Sequence, residues 1–190
     1  MAILSPTAPV VFLDRDGVIN RSPGTGYVTQ WEAFEFLPGS LEAIRDLTQA
    51  GHPLVVVSNQ SGVGQGFCTR ESLDTITRRM HDAIRDAGGA LTGVFYCLHR
   101  PDEGCACRKP ARGLVDQACR EHSMDPARSY LVGDDAKDML LGHAVGCRTI
   151  LVLSGRTRAE EVPQWPIIPA QVCRDLREAA AWILAQHPAP

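Results

Sequence analysis

At 190 residues the chain is long enough for one domain with a sizeable core. Its 44% hydrophobic and 22% charged content fits a globular protein, and a net charge of −3 at pH 7 lacks the basic footprint of non-specific nucleic-acid binders. No apolar run reaches the length of a membrane span and residues 1–10 lack the regions of a secretory leader, so the expected setting is the cytoplasm.

The first element is an apolar run, Val10-Val11-Phe12-Leu13, with the character of a strand buried on both faces. It stops at Asp14-Arg15-Asp16-Gly17. Two carboxylates two residues apart raise one another's pKa unless a cation or donors compensate. One interpretation makes Asp14 a nucleophile and metal ligand with Asp16 a proton donor; the other is a polar turn that uses Gly17. Residues 21–36 read as a loop containing Trp31, Phe34 and Phe36. Pro38-Gly39-Ser40 opens a helix with Leu41, Ile44 and Leu47 on one face, closed by Gly51. A second buried strand, 53–57, runs into Ser58-Asn59-Gln60-Ser61. Thr69 caps the next helix, whose stripe is Leu73, Ile76, Met80, Ala83, Ile84 and Ala87, stopped by Gly88-Gly89.

A third strand at 94–96 leads into a cysteine segment, followed by a helix at 110–121. A fourth strand, 130–132, ends in Gly133-Asp134-Asp135 and a helix covers 136–145. The fifth strand is 149–152, residues 154–169 are irregular, and a helix over 174–185 closes the chain. Strands alternating with helices predict right-handed βαβ units: a Rossmann-like, doubly wound parallel sheet, with ligands beyond the carboxyl ends of its strands. Without a repeat or a second core, residues 1–190 read as one domain.

Four predicted strands end in chemistry: Asp14 and Asp16; Ser58 and Asn59; the cysteine segment leading to Arg108 and Lys109; and Asp134, Asp135 and Asp138. Each group alone has an ordinary explanation as a cap, a turn or a solvated charge. Gathered at one crevice they suit a hard divalent cation with a phosphate: aspartates as oxygen ligands, Mg²⁺ to neutralise charge, and Ser58 and Lys109 to hold phosphoryl oxygens.

The segment Cys97-x-His99…Cys105-x-Cys107 places three thiols and an imidazole in one short loop. Three thiolates and one imidazole suit a closed tetrahedral Zn²⁺ site that stiffens the loop delivering Arg108 and Lys109. The alternative is a set of buried reduced thiols. Seven cysteines, an odd count, do not form a secreted disulfide framework, and Cys68, Cys119, Cys147 and Cys173 read as ordinary buried or partly buried residues.

DRDGV (14–18), Ser58, Lys109 and GDDAKD (133–138), in this order, resemble the four motifs of the haloacid dehalogenase superfamily of phosphatases. The resemblance implies an aspartyl-phosphate on Asp14, acid and base work by Asp16, and Mg²⁺ on the Asp14 carboxylate, the Asp16 carbonyl and Asp134. Ser58 and Lys109 would stabilise the phosphoryl group in transfer, with Asp135 and Asp138 behind the direct contacts.

Within that superfamily, C-x-H…C-x-C-R-K-P resembles the heptose-1,7-bisphosphate 7-phosphatases and the related histidinol-phosphate phosphatases. Gly26-Tyr27-Val28 and Ser58–Gly62 are nearer the heptose group. Gly64, Gln65 where that group often carries arginine, and the short zinc loop are nearer the histidinol group. The implied protein is a capless, monomeric enzyme acting on a small sugar phosphate of lipopolysaccharide biosynthesis. Tyr27, Asn59, Gln65 and Arg108 would contact substrate, Arg108 at the distal phosphate. A phospho-accepting receiver domain is the non-enzymatic alternative. Such domains carry an acidic pair after the first strand and the acceptor on the third, which here ends at a cysteine.

Overall fold

A computed structural model describes residues 9–187, so the first eight residues of the N-terminal stretch lie outside it. Six strands, β1 (Val11–Leu13), β2 (Leu54–Asn59), β3 (Gly93–Cys97), β4 (Tyr130–Gly133), β5 (Arg148–Val152) and β6 (Gln171–Cys173), form one sheet in the order β3-β2-β1-β4-β5-β6. Every neighbouring pair is parallel.

The two faces follow from side-chain alternation along the strands. Val11, Leu13, Leu54, Val56, Val132, Ile150 and Val152 pack beneath α1 (Ser40–Gln49), α2 (Arg70–Asp86) and α5 (Leu176–Gln186). Phe12, Val55, Val57, Leu131 and Leu151 pack against α3 (Gly113–His122) and α4 (Ala136–Val145). β1 has only three residues, yet all three are fully buried. At about 1.5–3 kcal/mol for each large apolar side chain buried, that is enough to seat a short strand at the sheet's centre.

The structure departs from the expected elements in three places. A sixth strand pairs with β5, Val152 opposite Cys173; Val172 is exposed, so this edge strand shows no buried run. α3 begins at Gly113, because Ala111 and Gly113 donate their N–H groups to the carbonyls of Arg108 and Ala106 and lock residues 108–113 into turns. β2 extends through Ser58 and Asn59, which therefore take their orientation from the sheet. The Thr69 cap is present, its hydroxyl accepting the Ser72 N–H at 3.1 Å.

β1 lies between β2 and β4, where the connections run to opposite sides of the sheet. This is the switch point at which a doubly wound sheet opens a crevice beyond its carboxyl ends. Asp14 follows β1 and Asp134 follows β4.

Candidate active site

Asp14 leaves β1 with its N–H bonded to the Val132 carbonyl, which fixes its backbone to β4. One carboxylate oxygen accepts the Arg15 N–H at 2.7 Å, and the other lies 2.8 Å from Lys109 Nζ. Lys109 Nζ is also 2.7 Å from Asp138 Oδ1. Lys109 stands on a loop whose backbone is tied to β2 at this point: the Asn59 amide donates to the Lys109 carbonyl at 3.1 Å and accepts its N–H at 3.0 Å. Ser58 is buried beside them, its hydroxyl accepting the Gln60 side-chain amide at 3.1 Å.

Asp134 sits between Gly17 and Gly155, where a Cβ at either position would run into its carboxylate; Gly17 also has φ +86°, a backbone that favours glycine. Its Oδ2 accepts the Arg156 N–H at 2.8 Å. Burial, reinforced by the negative charges of Asp14 and Asp138, pushes the Asp134 carboxyl up to about 7. Burial also acts to raise Asp14, but Lys109 and Lys137 outweigh it and hold that carboxyl below its ordinary value. Lys109 is raised although burial opposes it, because Asp138 and Asp14 face its ammonium. Oxygens of Asp14, Asp134 and Asp138 all lie within 4.8 Å of one another. Three adjoining carboxylates, with one buried ammonium set against two of them, leave an excess of negative charge on hard oxygen donors, a set that fits Mg²⁺.

These groups open on a pocket of about 180 Å³ whose lining includes Asp14, Asp16, Tyr27, Ser58, Asn59, Arg108 and Asp134. Arg108 turns a buried Nη1 without a hydrogen-bond partner. Gln65 is the exception among the expected contacts. It lies outside the pocket lining, and its amide is taken up by the Tyr27 hydroxyl at 2.6 Å and the Ser61 hydroxyl at 3.4 Å, so it braces the wall from outside. Asp138 is fully buried against Lys109, and Asp135 caps α4 and holds Lys137 Nζ at 2.7 Å. Lys137 and Arg156 line the pocket and were not expected from the sequence. Lys137 lies inside the GDDAKD stretch and could have been suspected; Arg156 falls in a segment read as irregular and gave no signal.

A second cluster stands beyond β3. Cys97 Sγ lies 3.6 Å from Cys105 Sγ and 3.3 Å from Cys107 Sγ, and His99 Nδ1 lies 3.2 Å from Cys107 Sγ. Burial pushes the Cys97 thiol up to about 12. Burial works the same way on Cys105, but the Arg108 N–H and the neighbouring thiols draw that group down to about 7. Four soft and borderline donors at tetrahedral-edge spacing can hold a metal ion.

A doubly wound sheet with aspartates beyond β1 and β4, a strand-end serine and a buried lysine defines a haloacid dehalogenase-like phosphatase. The HAD-hydrolase-like family model matches residues 106–179. A D-glycero-beta-D-manno-heptose-1,7-bisphosphate 7-phosphatase of Helicobacter pylori (strain J99) is 35% identical over 93% of this chain and 98% of its own. One from Bordetella bronchiseptica is 36% identical over 93% and 98%. The crystal structure of D,D-heptose 1,7-bisphosphate phosphatase from B. bronchiseptica, complexed with magnesium and phosphate, superposes with a TM-score of 0.88 over 94% of this chain and 99% of that one at 36% identity. The corresponding structure from Burkholderia thailandensis gives a TM-score of 0.70 at 32% identity, covering 93% and 99%. The chain belongs to the D-glycero-beta-D-manno-heptose-1,7-bisphosphate 7-phosphatase family.

Proposed function

We propose that the chain removes the C7 phosphate of D-glycero-β-D-manno-heptose 1,7-bisphosphate, supplying nucleotide-activated heptose for lipopolysaccharide. The carrying observation is Asp14: a carboxylate held below its ordinary pKa at a pocket floor, with Lys109 2.8 Å away. In this scheme an Asp14 oxygen attacks phosphorus and the P–O bond to C7 breaks, leaving an aspartyl-phosphate. Asp16 protonates the departing alkoxide, then takes a proton from the water that hydrolyses the intermediate, so that Asp14 and phosphate are regenerated. Ser58 and Lys109 stabilise the phosphoryl oxygens, and Asp138 keeps Lys109 aimed.

Asp14, Asp134 and the Asp16 carbonyl would hold Mg²⁺, which supplies neutralisation of phosphoryl charge when bound. Cys97, His99, Cys105 and Cys107 would hold a structural Zn²⁺ that fixes the approach to Arg108 and Lys109. Arg108, with its unpartnered nitrogen, receives the distal C1 phosphate. Tyr27 and Asn59 face the sugar from the pocket lining. The chain is read as one catalytic unit, a monomer in the cytoplasm. No helix among the described residues is long and apolar enough to cross a membrane.

The test is steady-state phosphate release, with Mg²⁺, from the heptose bisphosphate and from histidinol phosphate side by side. A strong preference for the heptose is expected. A preference for histidinol phosphate would overturn the substrate assignment.

A further inference from the structure

Among the described residues the largest fully buried side chain is charged: Arg15, between the two motif aspartates, is 0% exposed. Its guanidinium lies 5.9 Å from the Phe34 ring centroid and 5.7 Å from that of Tyr96. Phe34 in turn stacks on Trp31 at 5.1 Å and meets Phe36 edge-on at 5.0 Å, so the aromatic loop noted in the sequence forms the seat of this cation. Among the described residues its salt-bridge partner is Asp16. Nε and Nη2 both reach Asp16 Oδ1, at 3.1 and 2.9 Å, and Nη2 reaches Oδ2 at 3.1 Å. The Asn20 and Gln60 side-chain amides complete the set, donating to Oδ1 and Oδ2 at 2.9 Å each.

Burying a guanidinium among aromatic rings is costly, and apolar side chains of similar volume commonly match or exceed a buried ion pair in stability. Packing therefore does not account for arginine at this position. What arginine adds is a rigid fork that grips both oxygens of one carboxylate. Asp16 lies at the pocket wall with its side chain 22% exposed, while the guanidinium behind it has no access to solvent. The arrangement is an anchor at the back and a reacting edge at the front.

We propose that Arg15 is a positioning residue for phosphoryl transfer, fixing the direction from which Asp16 delivers its proton to the leaving oxygen. Arg15 does not touch substrate; it acts through Asp16. The inference rests on the assignment of Asp16 as the acid and base. It separates Arg15 from a structural role because only the proton-dependent part of the reaction passes through it. In kcat/KM, which reports the steps up to formation of the aspartyl-phosphate, loss of the anchor penalises a substrate whose alkoxide must be protonated and largely spares one whose phenolate departs without a proton; the later hydrolysis is common to both.

The experiment compares kcat/KM for the heptose bisphosphate, an alkyl phosphate, with that for p-nitrophenyl phosphate, in the full chain with Mg²⁺. Asp16→Asn serves as the reference and is expected to lower the alkyl-to-aryl ratio about 10²-fold or more. Arg15→Met is expected to lower the same ratio about tenfold or more. Arg15→Lys keeps the charge without the fork and should give an intermediate ratio with a native melting profile, which keeps the test valid if Arg15→Met does not fold. Equal losses on both substrates in the Arg15 variants, beside a selective loss in Asp16→Asn, would overturn the anchor alone. No selectivity in Asp16→Asn would overturn the acid–base assignment and the inference with it.

Discussion

Lys109 Nζ lies 2.7 Å from Asp138 Oδ1, and neither side chain is exposed. Removing one member of such a pair costs about 3–5 kcal/mol, because the survivor stays buried and uncompensated. Lys109→Met leaves Asp14, Asp134 and Asp138 facing one another without the ammonium. Its metal-free melting temperature should fall steeply and recover in part with Mg²⁺. The double variant Lys109→Met/Asp138→Asn should regain most of the stability and none of the activity. Thermal melts of the two variants with and without Mg²⁺ check this, and strictly additive losses would contradict it.

Burial, with the charges of Asp14 and Asp138 beside it, pushes the Asp134 carboxyl up to about 7 from its ordinary value of 3.8. A carboxyl raised on folding contributes stability below its unfolded pKa and loses that contribution as pH rises through the folded value. The metal-free protein should therefore lose this contribution between about pH 4 and 7. Mg²⁺ must displace the same proton, so its affinity should climb by up to about tenfold per pH unit below 7 and level off above it. Calorimetric Mg²⁺ titrations at pH 5.5, 6.5 and 8 measure the slope; a flat profile would contradict a raised Asp134 proton that Mg²⁺ displaces.

Cys107 Sγ is within 3.5 Å of both other thiols of its cluster, and the next residues are Arg108 and Lys109. If the cluster holds the proposed zinc, Cys107→Ala should lower bound metal, melting temperature and kcat together, since the turn that carries the two cations loses its fixed point. Metal content by atomic emission, read beside a thermal melt, checks this. Unchanged zinc and unchanged melting temperature would remove the structural role.

Much of this was legible because the informative residues follow buried strands. Val10–Leu13 is an apolar run with an abrupt polar end, and a parallel sheet leaves few places for Asp14 and Asp134 other than neighbouring strand ends. The cysteine segment was legible as a candidate metal cluster because three thiols and an imidazole crowd one short loop, although their spacing is not a common zinc-ligand pattern. β6 was not: three residues with one exposed valine carry no periodicity, and only pairing with β5 makes them a strand. Gln65 was named from the resemblance, as the position where the heptose group often carries arginine, and that does not say which side of the turn faces the pocket; here its amide bonds the Tyr27 and Ser61 hydroxyls. The burial of Arg15 was invisible for a similar reason. A charged residue at a strand end reads as solvated until Phe34 and Tyr96, brought from a distant loop and from β3, close over it.

The most direct test of the central claim is Mg²⁺-dependent phosphate release from the heptose bisphosphate by the native chain and by Asp14→Asn, under the same conditions. The expected result is one phosphate released per heptose by the native chain and none by the variant, with the variant's fold and zinc content intact. Steady turnover by Asp14→Asn would contradict the assignment of Asp14 as the group that takes the phosphoryl.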